Sequence, residues 1–492
     1  MNSSSDCHEI EGCPRLFIDA FRGAFLRKTS DANNTFILTH YHGDHYQSLP
    51  RDSKYQGPAL IHCTLVTAAL LREVHQVAPQ FVVEHNYGDT WEMDEAKITF
   101  YDANHCPGAA IVLIELPDGA HHLHCGDMRY SPHMKDYPLL RRAVESRKMD
   151  LIYLDTTYGH PKHDFCPQSE AVEQIASVVE QVTNASDSTL ILLSCYSIGK
   201  EKVLWECSRR ADQPIFVSEK KYKMLQCCKE GVDMCTLDAS KTDIHVIPMG
   251  LAGELWPYFQ PNYPACRDYA EKLEHKRYSK VVAFLPTGWA NASNWNKKNA
   301  IVSKSLAYEN TDDRVEVEIR LVSYSEHSAF TELIDFVAFL KPRKIVPTVY
   351  GDAKDRHKIA NHFRNLVDIT RAKQQFFASM KRPSSTTTPK SSAAKKVKSE
   401  PKHLAELSQL ISMGFTAAGA KNALRACKGS LEAALELLLS ETFCSQRDGS
   451  AKQPVEIDSS QRDGSAKQPV EIDSPPRSST TITSLFSPRS SP

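Results

Sequence analysis

Between positions 40 and 45 the chain reads His40-Tyr41-His42-Gly43-Asp44-His45, three imidazoles and a carboxylate around one glycine. Imidazole nitrogen and carboxylate oxygen together are a donor set for zinc, and less specifically for manganese or iron. The apolar run Thr35-Phe36-Ile37-Leu38 before them reads as a buried strand. On its continuation His40 and His42 share a face, so both can reach one ion. Gly43 lets the chain turn, which brings Asp44 and His45 to the far side of that ion or to a second one. The alternative, a His-rich surface loop, requires this spacing to be accidental.

The elements that would position such a site show the same habit elsewhere. Leu16-Phe17-Ile18 runs into Asp19, and the strand Lys97 to Tyr101 leads to His105. Leu123-His124-Cys125 leads to Gly126-Asp127, and Leu151 to Leu154 runs into Asp155. Taken singly, His105 or Asp127 would be a cap or turn residue. In open α/β architectures, however, ligand sites gather where strands end. These ends, Asp19, His40, His105, Asp127 and Asp155, are better explained by a single shared cleft, in which His105 and Asp127 take part in ligation.

The chain's 492 residues allow two or three domains, and a hydrophobic content of 41% permits a sizeable core. The formal net charge of −1 argues against a uniformly basic nucleic-acid binder, so a basic site must be local. The polar start, Met1 to Gly12, carries no apolar run of the secretory kind, and no stretch approaches the length of a membrane span, so no membrane partner is expected. Fourteen scattered cysteines fit reduced thiols better than a disulfide framework. Cys7, His8 and Cys13 read as part of a disordered N-terminus rather than as a metal cluster.

Residues 161–310 alternate helix and strand differently from what precedes them and read as a unit inserted into a domain formed by 1–160 and 311–375. Glu170 to Val182 is a helix, and the strand Thr189 to Leu193 ends in Ser194-Cys195-Tyr196-Ser197-Ile198-Gly199-Lys200. A helix starting near Gly199 would offer free N–H groups to an anion, beside Ser197 and Lys200, although Ser-x-x-Lys is common. His245, inside a strand, is by default a buried, hydrogen-bonded histidine, with support of a ligand as its functional alternative. Lys220, Lys221, Lys223, Lys297 and Lys298 would track a nucleic-acid strand or form a solvated face. Strand returns over Val315 to Tyr324, then a helix over Thr331 to Leu340 and a strand over Ile345 to Tyr350.

Residues 376–402 form a flexible basic linker, whose clusters at Lys381-Arg382 and Lys395-Lys396-Val397-Lys398 suit a nuclear import signal. Residues 403–444 predict three short helices in a thin bundle, and 445–492 a disordered tail. In that tail, Ser445 to Ser459 is repeated as Ser460 to Ser474. Each copy ends in a β-branched acidic segment, Val455 to Asp458 and Val470 to Asp473, of the kind that adds to a partner's sheet edge.

Longer phrases carry a family resemblance. They are His40 to His45, Ala103-Asn104-His105-Cys106-Pro107-Gly108, Gly126-Asp127-Met128-Arg129-Tyr130, Tyr153 to Tyr158, Tyr196 to Lys202, and Tyr324-Ser325-Glu326-His327-Ser328. With Asp19 they resemble the β-CASP branch of the metallo-β-lactamases, and within it the Artemis/Apollo-type DNA cross-link repair nucleases, over roughly residues 14–375. The resemblance implies a four-layer αββα sandwich with an inserted α/β β-CASP cap. It implies one zinc ion on His40, His42, His105 and Asp127. A second ion, zinc or else manganese, magnesium or iron, would sit on Asp44, His45 and a bridging Asp127, with Asp44 also counted as catalytic. Asp19 would orient a ligand histidine. Asp155 and His327 would pair to protonate the leaving oxygen or to support the second ion. Val349 stands where RNA-processing relatives carry histidine, which favours DNA. The turn Ser197 to Lys200 would grip a terminal 5′-phosphate on single- or double-stranded DNA, which implies a nuclear 5′→3′ exonuclease of DNA repair. An Artemis-type endonuclease, a small-molecule hydrolase and a non-catalytic scaffold remain alternatives. The Met413-Gly414-Phe415 bundle separately resembles a UBA domain, which implies ubiquitin binding. The two Val-Glu-Ile-Asp segments resemble SUMO-interacting motifs.

Overall fold

The computed structural model describes residues 7–185, 188–255, 259–291, 301–308 and 313–368, and in the C-terminal region 406, 417–427, 430, 431 and 434. The basic linker, the duplicated tail, Lys297, Lys298 and most of the 403–444 bundle lie outside them. The chain divides into two units, 1–384 and 385–492. Of the second, the helix Ala417–Ala426 is described, with Ala423 and Leu424 buried.

The first unit opens with β1 (Glu9–Ile10), β2 (Cys13–Ile18), β3 (Thr35–Ile37), β4 (Leu60–Thr64) and β5 (Val82–His85), a five-stranded sheet in that order. All its pairings are parallel except β1 with β2. The start is therefore ordered from residue 7 onward. Cys7 is buried and its carbonyl accepts from His124 of the second sheet, while β1 just after it pairs with β2.

A second sheet uses β6 (Thr90–Met93), β7 (Ala96–Asp102), β8 (Ala110–Glu115), β9 (His121–His124) and β10 (Met149–Leu154). Alternation along these strands sends residues to opposite faces. Leu16, Ile18 and Ile37 from one sheet meet Ile98, Phe100, Val112, Ile114, Leu151 and Tyr153 from the other in a shared core. The opposite faces, carrying Phe17, Phe36, Ile111, Leu113 and Ile152, are covered by helices that include Leu65–Leu70, Pro138–Glu145 and Phe330–Leu340. The result is the four-layer αββα sandwich.

The third sheet is built from β11 (Thr189–Cys195), β12 (Ile215–Phe216), β13 (Cys235–Thr236) and β14 (Ile244–Pro248). After a small β15 (Gly253–Glu254) and β16 (Gln260–Pro261) pair come β17 (Lys280–Thr287), β18 (Ile301–Ala307) and β19 (Arg314–Ser323). Leu190 and Leu192 pack on one face with Val281, Ala283, Val315 and Val317. Ile191 and Leu193 pack on the other with the helices Gln168–Ala185 and Glu201–Ala211.

The chain then re-enters the second sheet as β20 (Lys344–Pro347), parallel and adjacent to β10. The insertion thus leaves and returns between neighbouring strands. One expectation changes: the strand expected over Val315 to Tyr324 in the returning domain is β19, which pairs in register with β17 from Lys280 to Thr287. Its alternating Val315, Val317 and Ile319 fit either sheet, and only the partner distinguishes them.

Candidate metal centre

The opening cluster lies in irregular chain beyond β3, which stops at Ile37, one residue before the expected end. Three rings converge there. His42 Nδ1 lies 3.0 Å from His40 Nε2 and 3.1 Å from His105 Nε2. A single nitrogen cannot donate to both, and each ring's other nitrogen is already engaged. His42 Nε2 donates to the Ile198 carbonyl at 3.0 Å, and His105 Nδ1 to the Glu326 carbonyl at 2.8 Å. His40 Nδ1 faces the Thr39 hydroxyl at 3.0 Å, which itself donates to Asp19. These bonds fix the tautomers so that three lone pairs point at one volume. Burial, with the neighbouring imidazoles, holds His40 and His105 well below the usual histidine range, so both rings are neutral donors. A tetrahedral zinc with bonds of about 2.0–2.1 Å sets its ligand nitrogens roughly 3.3 Å apart, close to this spacing. The donor set fits such an ion.

Asp127, past β9, completes the group. Its Oδ2 lies 3.7 Å from His40 Nε2, 3.8 Å from His105 Nε2 and 3.2 Å from His45 Nε2. His45 in turn donates through Nδ1 to Asp19 at 2.8 Å, while Asp19 also accepts the Thr39 N–H and hydroxyl. Asp19 therefore aims His45, as a ligand-orienting residue would. Burial opposes charge on His45, but Asp127 and Asp19 at its two nitrogens outweigh that and raise its pKa well above the usual value. To act as a ligand His45 must give up its Nε2 proton, and the carboxylate of Asp127 that favours the proton would equally favour a cation in its place. Two further donor sets follow, His40–His45–Asp127 and His105–Asp127–His327. Asp44 belongs to neither. Its side chain is 79% exposed and its carboxylate lies 3.7 Å from His45 Nε2, at the rim.

Asp155 follows β10, and its Oδ2 meets His327 Nδ1 at 2.9 Å and the Met128 N–H at 2.9 Å. The His327 ring stands 4.7 Å from that of His105. Burial opposes its charge, yet Asp155 and then Asp127 push His327 up to about 9. Val349 is exposed just beyond β20, its backbone tied to Thr156.

The turn Tyr196–Lys200 reaches the same cluster through Ile198. Lys200 is buried, with its ammonium 4.3 Å from the Tyr196 ring centre, and opens the helix Glu201–Ala211. The helix-start N–H groups are not free as expected: Gly199 donates to Glu201 and Lys200 to Glu326. Lys221 does not track a strand either. It is buried in an ion pair with Glu201 at 2.7 Å, because the Glu219–Cys228 helix turns it inward. Lys220 and Lys223 are exposed. His245 stays apart from the centre, contacting Tyr269 and the Thr242 carbonyl, so its default reading stands over ligand support.

Glu326, Arg129 and Cys106 stand in the family phrases without a role of their own. The Glu326 carbonyl orients His105, and Arg129 donates to the Ser325 and His327 carbonyls and pairs with Glu332. Cys106 groups with His40, His42 and His105. Burial raises that thiol well above its usual range.

A family model described as DNA repair metallo-beta-lactamase matches residues 230–353, and a UBA-like domain model matches 405–444. The chain is 34% identical over 398 residues to DNA ligase 6 of Arabidopsis thaliana, a match covering 77% of this chain but 26% of that protein. It is 28% identical over 321 residues to the 5′ exonuclease Apollo of Gallus gallus, covering 64% and 59%. To the DNA cross-link repair protein SNM1 of Arabidopsis thaliana it is 33% identical over 362 residues, covering 72% of this chain and 68% of that one. A fold that implies divalent metal, a converging His/Asp cluster and a match running through most of a cross-link repair protein agree: the chain belongs to the DNA cross-link repair family of metallo-β-lactamase-fold proteins.

Proposed function

We propose that the chain is a metal-dependent DNA nuclease that degrades strands 5′→3′ from a 5′-phosphate end in DNA repair. The observation that carries this reading is the tie between the Tyr196–Lys200 turn and the His/Asp cluster, made by Ile198 on His42. A buried lysine stands in that turn, its ammonium 4.3 Å from the Tyr196 ring centre and 5.9 Å from that of Tyr324, with the Glu326 and Glu201 carboxylates favouring its charge. Its ammonium makes no close ion pair among the described residues, so it would be able to meet an anion.

His40, His42, His105 and Asp127 would hold one ion, zinc by this donor set. Asp127 and His45, with Asp44 swung in from the rim, would hold a second, for which manganese, magnesium or iron also qualify. When bound, such ions supply water activation and neutralisation of charge on the phosphate. His327, braced by Asp155, would carry a proton toward the cluster and pass it to the leaving oxygen. Lys200 and Ser197 would hold the terminal phosphate, so that the adjacent phosphodiester lies at the cluster. The UBA-like residues 405–444 would bind ubiquitin, and Val455–Asp458 and Val470–Asp473 would bind SUMO, in a nuclear protein.

The test is digestion of 3′-labelled DNA oligonucleotides bearing 5′-phosphate or 5′-hydroxyl, with and without chelator, beside Asp127→Ala. Stepwise shortening of the phosphorylated strand, abolished by chelator and by the substitution, is expected. Equal internal cutting of both substrates would overturn the exonuclease reading in favour of an endonuclease.

A further inference from the structure

The Tyr196–Lys200 turn is held from beneath by buried charges that no step above uses. Lys221 Nζ donates to the Glu201 carboxylate at 2.7 Å, to the Ser197 carbonyl at 3.1 Å and to the Tyr196 carbonyl at 3.4 Å. Both side chains of the ion pair are almost fully buried, at 6% and 5% exposure. Drawing two successive carbonyls to one ammonium sets the peptide planes of the turn and leaves the Tyr196 ring outward, half exposed. Glu201 then accepts the Gly199 N–H at 2.8 Å.

From there the path continues to the cluster. Glu326 accepts the Lys200 N–H with its carboxylate, and its own carbonyl accepts from His105 Nδ1 at 2.8 Å. Gly199 is required for this closeness, since a Cβ there would lie 2.7 Å from Glu326 Oε2. The turn is thus tied to His42 directly through Ile198 and to His105 through Glu326.

We infer that Lys221 and Glu201 are positioning residues that brace the turn against the metal cluster and so set the cleavage register, the distance from the bound end to the bond that is cut. This rests on the reading that the turn grips the 5′-phosphate. A phosphate held by a turn anchored to two candidate ligand histidines presents one particular phosphodiester. A turn released from its brace presents several, because orientation of the reacting bond depends on fixed distances.

The experiment uses the full chain and 3′-labelled single-stranded oligonucleotides with 5′-phosphate or 5′-hydroxyl ends. It measures kcat, KM and the length of the first product. Lys221→Met leaves Glu201 buried without its cation and risks unfolding. The double variant Lys221→Met/Glu201→Gln removes both charges while an amide oxygen at position 201 still accepts from Gly199, and Lys221→Arg serves as the conservative rescue. For the double variant, KM on the phosphorylated substrate rises and preference for 5′-phosphate falls by about tenfold, while cutting of the 5′-hydroxyl strand changes by less than about twofold. First products lengthen from one nucleotide to a mixture, and Lys221→Arg restores part of the original pattern. A folded double variant with unchanged preference and product length overturns the inference. So does an equal loss on both substrates, which would mark a merely structural pair. If the unmodified protein itself ignores the 5′-phosphate, the end-gripping reading fails first and the inference fails with it.

Discussion

At the scale of single residues, the cluster is governed by which nitrogen of each ring carries the proton. His42 and His105 give their protons to the carbonyls of Ile198 and Glu326, and His45 gives its to Asp19. Replacing a ligand should differ from replacing its orienting partner. Asp127→Ala removes the carboxylate shared by the donor sets and should abolish metal-dependent cleavage. Asp19→Asn should leave a folded protein with metal affinity lowered by roughly 10–100-fold, because a group that aims a ligand contributes to its basicity. Metal content after dialysis against graded chelator, measured beside activity, checks both. Unchanged retention in Asp19→Asn would remove Asp19 from the site. The donors at positions 40–45 were legible in sequence because they are contiguous. Glu326 and Lys221 were not, because their partners, His105 and Glu201, come from other elements and a carbonyl acceptor leaves no mark on residue type.

At the scale of elements, chain ends carry the chemistry and their close approach sets what residues they accept. Gly126 links β9 to Asp127 with φ of +54°, and a Cβ there would stand 2.9 Å from Thr39 Oγ1. Thr39 holds Asp19 through both its N–H and its hydroxyl. Gly126→Ala should therefore cost about 1–2 kcal/mol for the left-handed backbone alone. It should also weaken metal retention by displacing Thr39, read from urea midpoints and metal titration of the same variant. A stability loss with unaltered metal retention would show that Thr39 adapts. Several strands were readable from apolar runs to within one or two residues, β3 and β19 among them, whereas β20 stops three residues before the expected Tyr350 and β4, β5, β6 and β18 were not legible. Sheet membership was not: β19 has the alternation any strand shows, and its partner β17 is known only from register.

Across the whole molecule, buried neutral histidines couple stability to pH. Burial lowers His245 to about 4, and burial with the nearby His85 lowers His62 to about 3, from an ordinary 6.5. Both folded values lie below the unfolded one, so below pH 6.5 the unfolded chain takes up protons that the folded chain refuses. Stability is then greatest above pH 6.5 and is lost as pH falls toward those folded values. Between pH 7 and 5.5 each such histidine should cost about 1 kcal/mol. His245→Leu should reduce that pH-dependent loss in urea unfolding, and an identical loss in the variant would contradict this account.

The return of β20 beside β10 also bears on how the protein reaches its native state. These neighbours are separated by residues 155–343. Closing a flexible loop of roughly 190 residues costs on the order of 4–5 kcal/mol in chain entropy before any strand contact forms. If the inserted sheet folds first, its own packing brings both ends together and the second sheet closes at little further expense. During synthesis the sandwich would therefore wait, with β10 as an exposed edge, until the insertion has folded. Its assembly rate should follow the folding rate of the inserted unit rather than that of the metal-bearing domain itself.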